Sequence, residues 1–195
     1  MTAPAWVFLR QFITSPRSVG AILPSSAALA EAMVAPIDFA KGPTIVEFGP
    51  GTGAFTRTIA QRLRPPGRYL GIELNEAFCA TLAAEFPNQT FVHGSVADLT
   101  TILAQHGIDR VDAIVCGLPW ASLPIALQER VFGEIHRALV PGGAFMTFAY
   151  LHGLILPGAQ ALRQRLQTSF ASVTHSPTVW ANVPPAFAYI CRTEQ

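Results

Sequence analysis

Glu47-Phe48-Gly49-Pro50-Gly51-Thr52-Gly53 is the stretch on which the reading of this chain turns. Before it, Thr44–Phe48 is a short apolar run with a carboxylate near its end. After it, residues from about Ala54 to Leu63 fit a helix. The glycines break the strand and let backbone approach a ligand closely. A strand, a glycine turn and a helix make the opening unit of a parallel α/β domain, and similar units follow downstream.

Pro65-Pro66-Gly67 turns the chain into Arg68–Ile72, a second strand that Glu73 ends. A helix over Glu76–Phe86, with Asn75 as its cap, leads to a third strand at Thr90–His93. Asp98–His106 reads as helical and Val111–Cys116 as strand four. Leu127, Val131, Ile135 and Leu139 recur at four-residue steps, predicting a helix with one buried stripe. Pro141-Gly142-Gly143 reads as a turn into strand five, Ala144–Ala149. A helix near Ala159–Leu166 and two strands, Phe170–Thr174 and Ala186–Cys191, complete the pattern. Five alternations of strand and helix predict a doubly wound, Rossmann-like α/β fold. Its seven-stranded, mostly parallel sheet is expected to carry an antiparallel pair at one edge. Residues 1–36 are expected to form an N-terminal helical cover, including a helix from about Ser25 to Ala35 capped by Ser25 or Ser26. Residues 37–195 would form the catalytic domain.

Charged residues are 13% of the 195, against about 25% in a typical soluble domain, which points to a large buried surface or a membrane-facing one. The formal net charge of +1 supplies no broad basic field, so nucleic acid is not an expected partner. Cys79, Cys116 and Cys191 match no zinc or disulfide spacing, and no metal is expected. No signal-peptide pattern and no apolar run long enough to span a bilayer is present, so the expected location is cytoplasmic. Residues 5–13, AWVFLRQFI, crowd Trp6, Phe8, Leu9, Phe12 and Ile13 onto one broad helical surface beside Arg10 and Arg17. Such a helix can pack on its own domain or lie in a membrane interface.

The loops that follow the first four strands assemble at one edge of the sheet. Glu73 stands 24 residues past Gly49 and is placed to accept both ribose hydroxyls of an adenosine, with Leu74 beside it. After strand three, Ser95, Val96 and Ala97 are candidates to meet the adenine ring. Asp98 is a candidate to accept its amino group or to cap the next helix. Cys116 and Gly117 end strand four in a turn with few donors. Glu47 would repel a pyrophosphate and suits a cationic ligand. The cofactor-binding residues are therefore expected to be Glu47, Gly49, Gly51, Gly53, Glu73, Leu74, Ser95, Val96, Ala97, Asp98, Cys116 and Gly117. The expected ligand is S-adenosylmethionine rather than NAD.

The segments EFGPGTGAFT, GIELNEAF, HGSVADL, VCGLPWASLP and LVPGGAFMTFAY resemble class I methyltransferases. With the N-terminal FLRQFITSPRSVGAILPSSAALAEAM and the C-terminal VWANVPPAFAYICR, nearly the whole chain resembles bacterial soluble-type phospholipid N-methyltransferases. The resemblance implies methyl transfer to the head-group amine of a phospholipid such as phosphatidylethanolamine, as in phosphatidylcholine biosynthesis. Methylated intermediates and ornithine lipids are further substrates of such enzymes. It also implies peripheral attachment to the cytosolic membrane face, with residues 5–17 meeting an anionic surface. The rRNA adenine N6-methyltransferases are a cousin group, but Gly117 stands where they carry an asparagine. A non-catalytic methyltransferase-like partner protein is the other alternative. Tyr150 and the carbonyls of Leu118 and Pro119 are the candidates to hold the amine or take its proton, with His152 as a further base. Arg10 and Arg17 come first as phosphate partners, then Arg163, Arg165 and Arg192. Trp120 is expected to narrow the head-group pocket.

Overall fold

The apolar runs of the sequence pair into one sheet, and their alternation splits the core between its two faces. The computed structural model describes residues 25–195. The strands are β1 (Thr44–Phe48), β2 (Arg68–Glu73), β3 (Thr90–His93), β4 (Val111–Cys116), β5 (Leu139–Tyr150), β6 (Ser172–His175) and β7 (Ala186–Arg192), ordered β3-β2-β1-β4-β5-β7-β6. β3, β2, β1, β4 and β5 are parallel, while β7 runs antiparallel to both β5 and β6. This is the doubly wound sheet with an antiparallel edge pair that the sequence predicts. The strand order reverses at β1, between β2 and β4, and the carboxyl edge beside such a reversal is where open α/β sheets hold their ligands.

Among the described residues, six helices cover the sheet: α1 (Ala27–Val34), α2 (Ala54–Arg62), α3 (Glu76–Glu85), α4 (Leu99–Gln105), α5 (Ile125–Ala138) and α6 (Pro157–Ser169). Val46, Phe48, Ile72, Ile114, Cys116 and Phe145 point to one face and pack with side chains from α4, α5 and α6. Their neighbours Ile45, Tyr69, Ala113, Val115 and Met146 point to the other, where α1 and α2 supply Leu29, Met33, Phe55 and Ile59. A period of two with both faces apolar is what a parallel sheet buried on both sides requires.

The Ser26 hydroxyl accepts from the Leu29 N–H and caps α1, as the sequence suggests. This helix packs on α2 and β7. Two hydrogen bonds tie it to the distant end of the sequence: Ser26 N–H to Asn182 Oδ1 at 2.9 Å, and Arg192 Nη2 to the Pro36 carbonyl at 3.0 Å. Residues 25–36 of the expected cover thus sit on the domain. The expected membrane segment 5–17, with Arg10 and Arg17, lies outside the described residues. Among the described residues no helix is long and apolar enough to cross a membrane.

Three of the boundaries that differ from expectation have a plain physical reason. β5 begins at Leu139 rather than Ala144, because Pro141-Gly142-Gly143 forms a bulge inside the strand instead of a turn before it. Five residues of β5 advance while β4 advances two, and Gly142 takes φ +70°. The expected helix at Asp98 is preceded by a 3-10 turn, Val96–Asp98, capped by the Ser95 hydroxyl. α6 starts at Pro157, whose missing N–H costs nothing at the first helical position.

Candidate active site

Backbone hydrogen bonds align the loops along the carboxyl edge. Gly49 N–H donates to Ile72 O, Gly94 N–H to Glu73 O and Gly117 N–H to Phe48 O, each at 2.9 Å. Gly49, Gly51 and Gly53 all have positive φ, at +63°, +57° and +78°, a backbone region that a Cβ disfavours. Around Gly51 the space is open: the nearest non-adjacent atom to a Cβ there would be Gly49 O, at 3.9 Å. Gly117 is fixed by the opposite circumstance. A Cβ on it would stand 3.0 Å from Gly49 O and 3.4 Å from Phe48 O, so β4 can close on the glycine turn only without a side chain.

Glu47 points to the α1–α2 face and is fully buried. Its Oε2 accepts from the Tyr69 hydroxyl at 2.7 Å and from the Thr56 hydroxyl at 2.8 Å. Gly71, beside Glu47 in the sheet, leaves space for this phenol: a Cβ there would lie 2.8 Å from the Tyr69 oxygen. Glu47 Oε1 is buried without a partner. Burial pushes the Glu47 carboxyl up to about 7, despite the two hydroxyl bonds that favour its ionised form. Burial, together with the Glu47 charge, raises the Tyr69 phenol well above its ordinary value, so it remains a donor.

Glu73, 2% exposed, spans two loops: Oε2 accepts from Gly51 N–H at 3.0 Å and Oε1 from Asn75 N–H at 2.9 Å. Each oxygen retains a second lone pair for a hydroxyl donor. Leu74 follows it, and its carbonyl lies 3.1 Å from His93 Nε2. The Ser95 hydroxyl accepts from Ala97 N–H, and Val96 and Ala97 are buried. Asp98 makes no side-chain cap to α4; its carboxylate pairs with Arg130 of α5, whose Nε also donates to Ala97 O at 3.0 Å.

Cys116 faces the α4–α6 layer, where burial pushes its thiol up to about 12, so only its backbone reaches the carboxyl edge. Leu118 lies against the glycine turn, its Cδ2 3.0 Å from where a Gly49 Cβ would be. The Leu118 carbonyl accepts from Trp120 N–H at 3.0 Å and the Pro119 carbonyl from Ser122 N–H at 2.9 Å, leaving each a further lone pair. Tyr150 ends β5 on the same face as Glu47, with its ring against Phe148 and His152. Half-burial raises its phenol, so it stays protonated at neutral pH.

Two expectations are corrected. Trp120 lines no head-group pocket: it is 2% exposed, its indole N–H donates to Thr147 Oγ1 at 3.0 Å, and its ring packs on Phe132 and Phe145. The 3-10 turn Trp120–Ser122 carries the ring into the core. Arg192 is no phosphate partner at this edge, because β7 is antiparallel and delivers it to the opposite end, against Gly142 O and Pro36 O. Arg165 is partly occupied by Glu129 and by the Phe132 ring. A cleft of about 580 Å³ lies at the amino edge, among Arg64, Arg68, Asn88 and His106, away from these loops.

The donor set fits a ligand with a cationic end and a sugar. Glu47 Oε1 is a buried acceptor without a partner, which an ammonium would satisfy, the space around Gly51 is open, and Glu73 has lone pairs left for hydroxyl donors. A family model described as a methyltransferase domain matches residues 45–143. The ornithine lipid N-methyltransferase of Singulisphaera acidiphila is 33% identical over 190 residues, covering 96% of this chain and 95% of that protein. Among solved structures, the 1,6-didemethyltoxoflavin-N1-methyltransferase of Burkholderia thailandensis, with bound S-adenosylhomocysteine, aligns at TM-score 0.71 and 16% identity over 100% of this chain and 92% of that one. An O-methyltransferase of Bacillus cereus in complex with S-adenosylhomocysteine aligns at TM-score 0.68 and 14% identity, with the same coverage. These two likenesses establish the shared fold. By the family match and the full-length relative, this chain belongs to the S-adenosylmethionine-dependent methyltransferases.

Proposed function

We propose that the chain methylates the head-group amine of a phospholipid such as phosphatidylethanolamine, at the cytosolic membrane face. The observation that carries this reading is the 33% identity to an ornithine lipid N-methyltransferase over nearly the whole length of both proteins. That relative also favours a second reading, in which the amine belongs to an ornithine lipid. In both cases the acceptor is an amine on an amphiphile.

Bound in the site, S-adenosylmethionine supplies an electrophilic methyl group. Glu47 would accept a hydrogen bond from the cofactor's ammonium and Glu73 would accept from its ribose hydroxyls, with Val96, Ala97 and Asp98 framing the adenine. Leu118 and Pro119 form an apolar wall with carbonyls on the substrate side. An amine there is desolvated, which disfavours its protonated form and frees the lone pair. Tyr150, protonated at neutral pH, positions the amine through its hydroxyl rather than acting as a base. Gly117 offers no side-chain group to orient a planar nucleobase amine, which disfavours the rRNA alternative.

The test is to incubate the protein with labelled S-adenosylmethionine and detergent-dispersed bacterial lipids, then separate the labelled products by mass. Label in methylated phosphatidylethanolamine species supports the first reading, and label in ornithine lipid the second. Cofactor binding without label in any lipid refutes both.

A further inference from the structure

Among the described residues, the large apolar side chains that stand exposed are Ile125, Leu151, Ile155, Leu156, Trp180 and Val183. They come from separate parts of the sequence, yet the topology brings all six to one end of the molecule. Ile125 opens α5 after the β4 loop. Leu151, Ile155 and Leu156 follow β5, and Trp180 and Val183 lie between β6 and β7. Leu151 N–H donates to Pro185 O at 2.8 Å, joining the last two loops, and α6 packs on the turn Trp120–Ser122 that leads to α5. This is the carboxyl edge, the end that carries the glycine turn and Tyr150.

Charge is missing from the loops that carry these six residues. Residues 117–128, 150–162 and 176–191 contain no Asp, Glu, Lys or Arg, although the chain has 25 such residues from its 13 basic and 12 acidic ones. Lys41, Arg64, Arg68, Asp109, Arg110, Asp112 and Glu194 adjoin strand ends at the opposite edge. Ile155 is 81% exposed, Trp180 71% and Ile125 68%, in loops that offer a charged partner nothing to pair with. Exposed apolar residues grouped at one end mark an interaction site. A tryptophan among branched aliphatics, with no formal charge, matches the boundary between head groups and acyl chains.

We propose that this uncharged rim docks on the lipid bilayer and presents the active site directly to head groups. The contact is distinct from the one expected of residues 5–17, since it uses the folded domain and no cation. It rests on the reading of a lipid amine as substrate, because a rim around the site is useful only if the acceptor arrives from the membrane.

The test uses the full chain with Trp6→Phe, so that Trp180 is the exposed tryptophan and Trp120, 2% exposed, is sheltered. Vesicles of brominated phosphatidylcholine should quench Trp180 emission, and 1 M NaCl should leave the quenching unchanged, since no ion pairs carry the contact. Adding Trp180→Phe should abolish it. Ile155→Ser with Leu156→Ser should lower flotation with neutral phosphatidylcholine vesicles by about tenfold or more. Absence of quenching in the Trp6→Phe protein, or quenching lost at 1 M NaCl, overturns the proposal. A stable dimer that the rim substitutions dissolve also overturns it and assigns the surface to a second copy. Methylation of lipid in detergent micelles is scored separately: micelle activity without vesicle quenching refutes the rim alone, whereas quenching without lipid methylation supports the rim and refutes only the lipid substrate.

Discussion

Replacing Glu47 with glutamine tests the electrostatic heart of the site. The carboxyl is fully buried and shifted up from 4.5 to about 7, with desolvation as the main cause. A group whose folded value exceeds its unfolded one holds more protons in the native state than in the unfolded chain between those two values. Its contribution is therefore fully present below pH 4.5 and is lost as the pH rises through 7. A shift of roughly 2.5 units at about 1.36 kcal/mol per unit corresponds to roughly 3 kcal/mol. Glutamine keeps an acceptor for Tyr69 and Thr56 but cannot ionise. Urea unfolding of both proteins, without cofactor, should be measured at half-unit intervals from pH 4.5 to 8. The variant's stability relative to the parent should rise by about 3 kcal/mol across that range and then level off. Parallel curves would show that Glu47 titrates normally and that its burial carries no penalty. In the parent, an ammonium meeting Glu47 Oε1 also favours the ionised carboxyl. Cofactor binding near pH 6 should accordingly release a proton, seen as a dependence of the calorimetric heat on the buffer's ionisation enthalpy.

Three further substitutions address two other parts of the site and the core beneath it. Glu73→Ala removes the acceptor shared by Gly51 and Asn75 N–H and should weaken S-adenosylmethionine binding by about 1.5–3 kcal/mol in calorimetry; unchanged affinity excludes a ribose contact. Tyr150→Phe should lower kcat while leaving cofactor affinity near the parent's, and equal turnover removes the hydroxyl from the reaction. Trp120→Phe should cost about 2–4 kcal/mol in denaturant unfolding, because Thr147 loses its buried donor and a gap opens beside Phe132. The amine preference of the Trp120→Phe enzyme should not change; an altered preference would return Trp120 to the substrate pocket.

Much of the fold could be read from the order of residues because its signals are local. Thr44–Phe48 and the glycines after it announce strand, turn and helix within ten residues, and Ser26 and Asn75 mark helix starts by their hydroxyl or amide. The β5 boundary was misread for a physical reason: Pro141-Gly142-Gly143 is strong turn chemistry, and only pairing with β4 shows that the strand absorbs it as a bulge. Glu47 and Glu73 were visible as carboxylates at strand ends. The partners that set their behaviour were not, since Tyr69 and Thr56 meet Glu47 through the β1–β2 register and the docking of α2. Arg130 was missed similarly: it reaches Asp98 from 32 residues away, on a helix whose apolar stripe says nothing about its polar side. Trp120 was misplaced because a residue just past a strand end can turn toward the pocket or toward the core, and its indole bond to Thr147 decides for the core.

The seating of β7 between β5 and β6 also governs how the molecule is made. β5, paired with β4 on one side, cannot acquire its second neighbour until residue 192 has left the ribosome, and the contact of α1 with β7 must wait with it. Until then the part of α1 that faces β7 stays uncovered, although α2 is already there to meet its other side, and the open side of β5 is an invitation to the wrong strand. Nascent chains of this protein are therefore aggregation-prone until β7 is in place, and a holding chaperone has the most to protect in that interval.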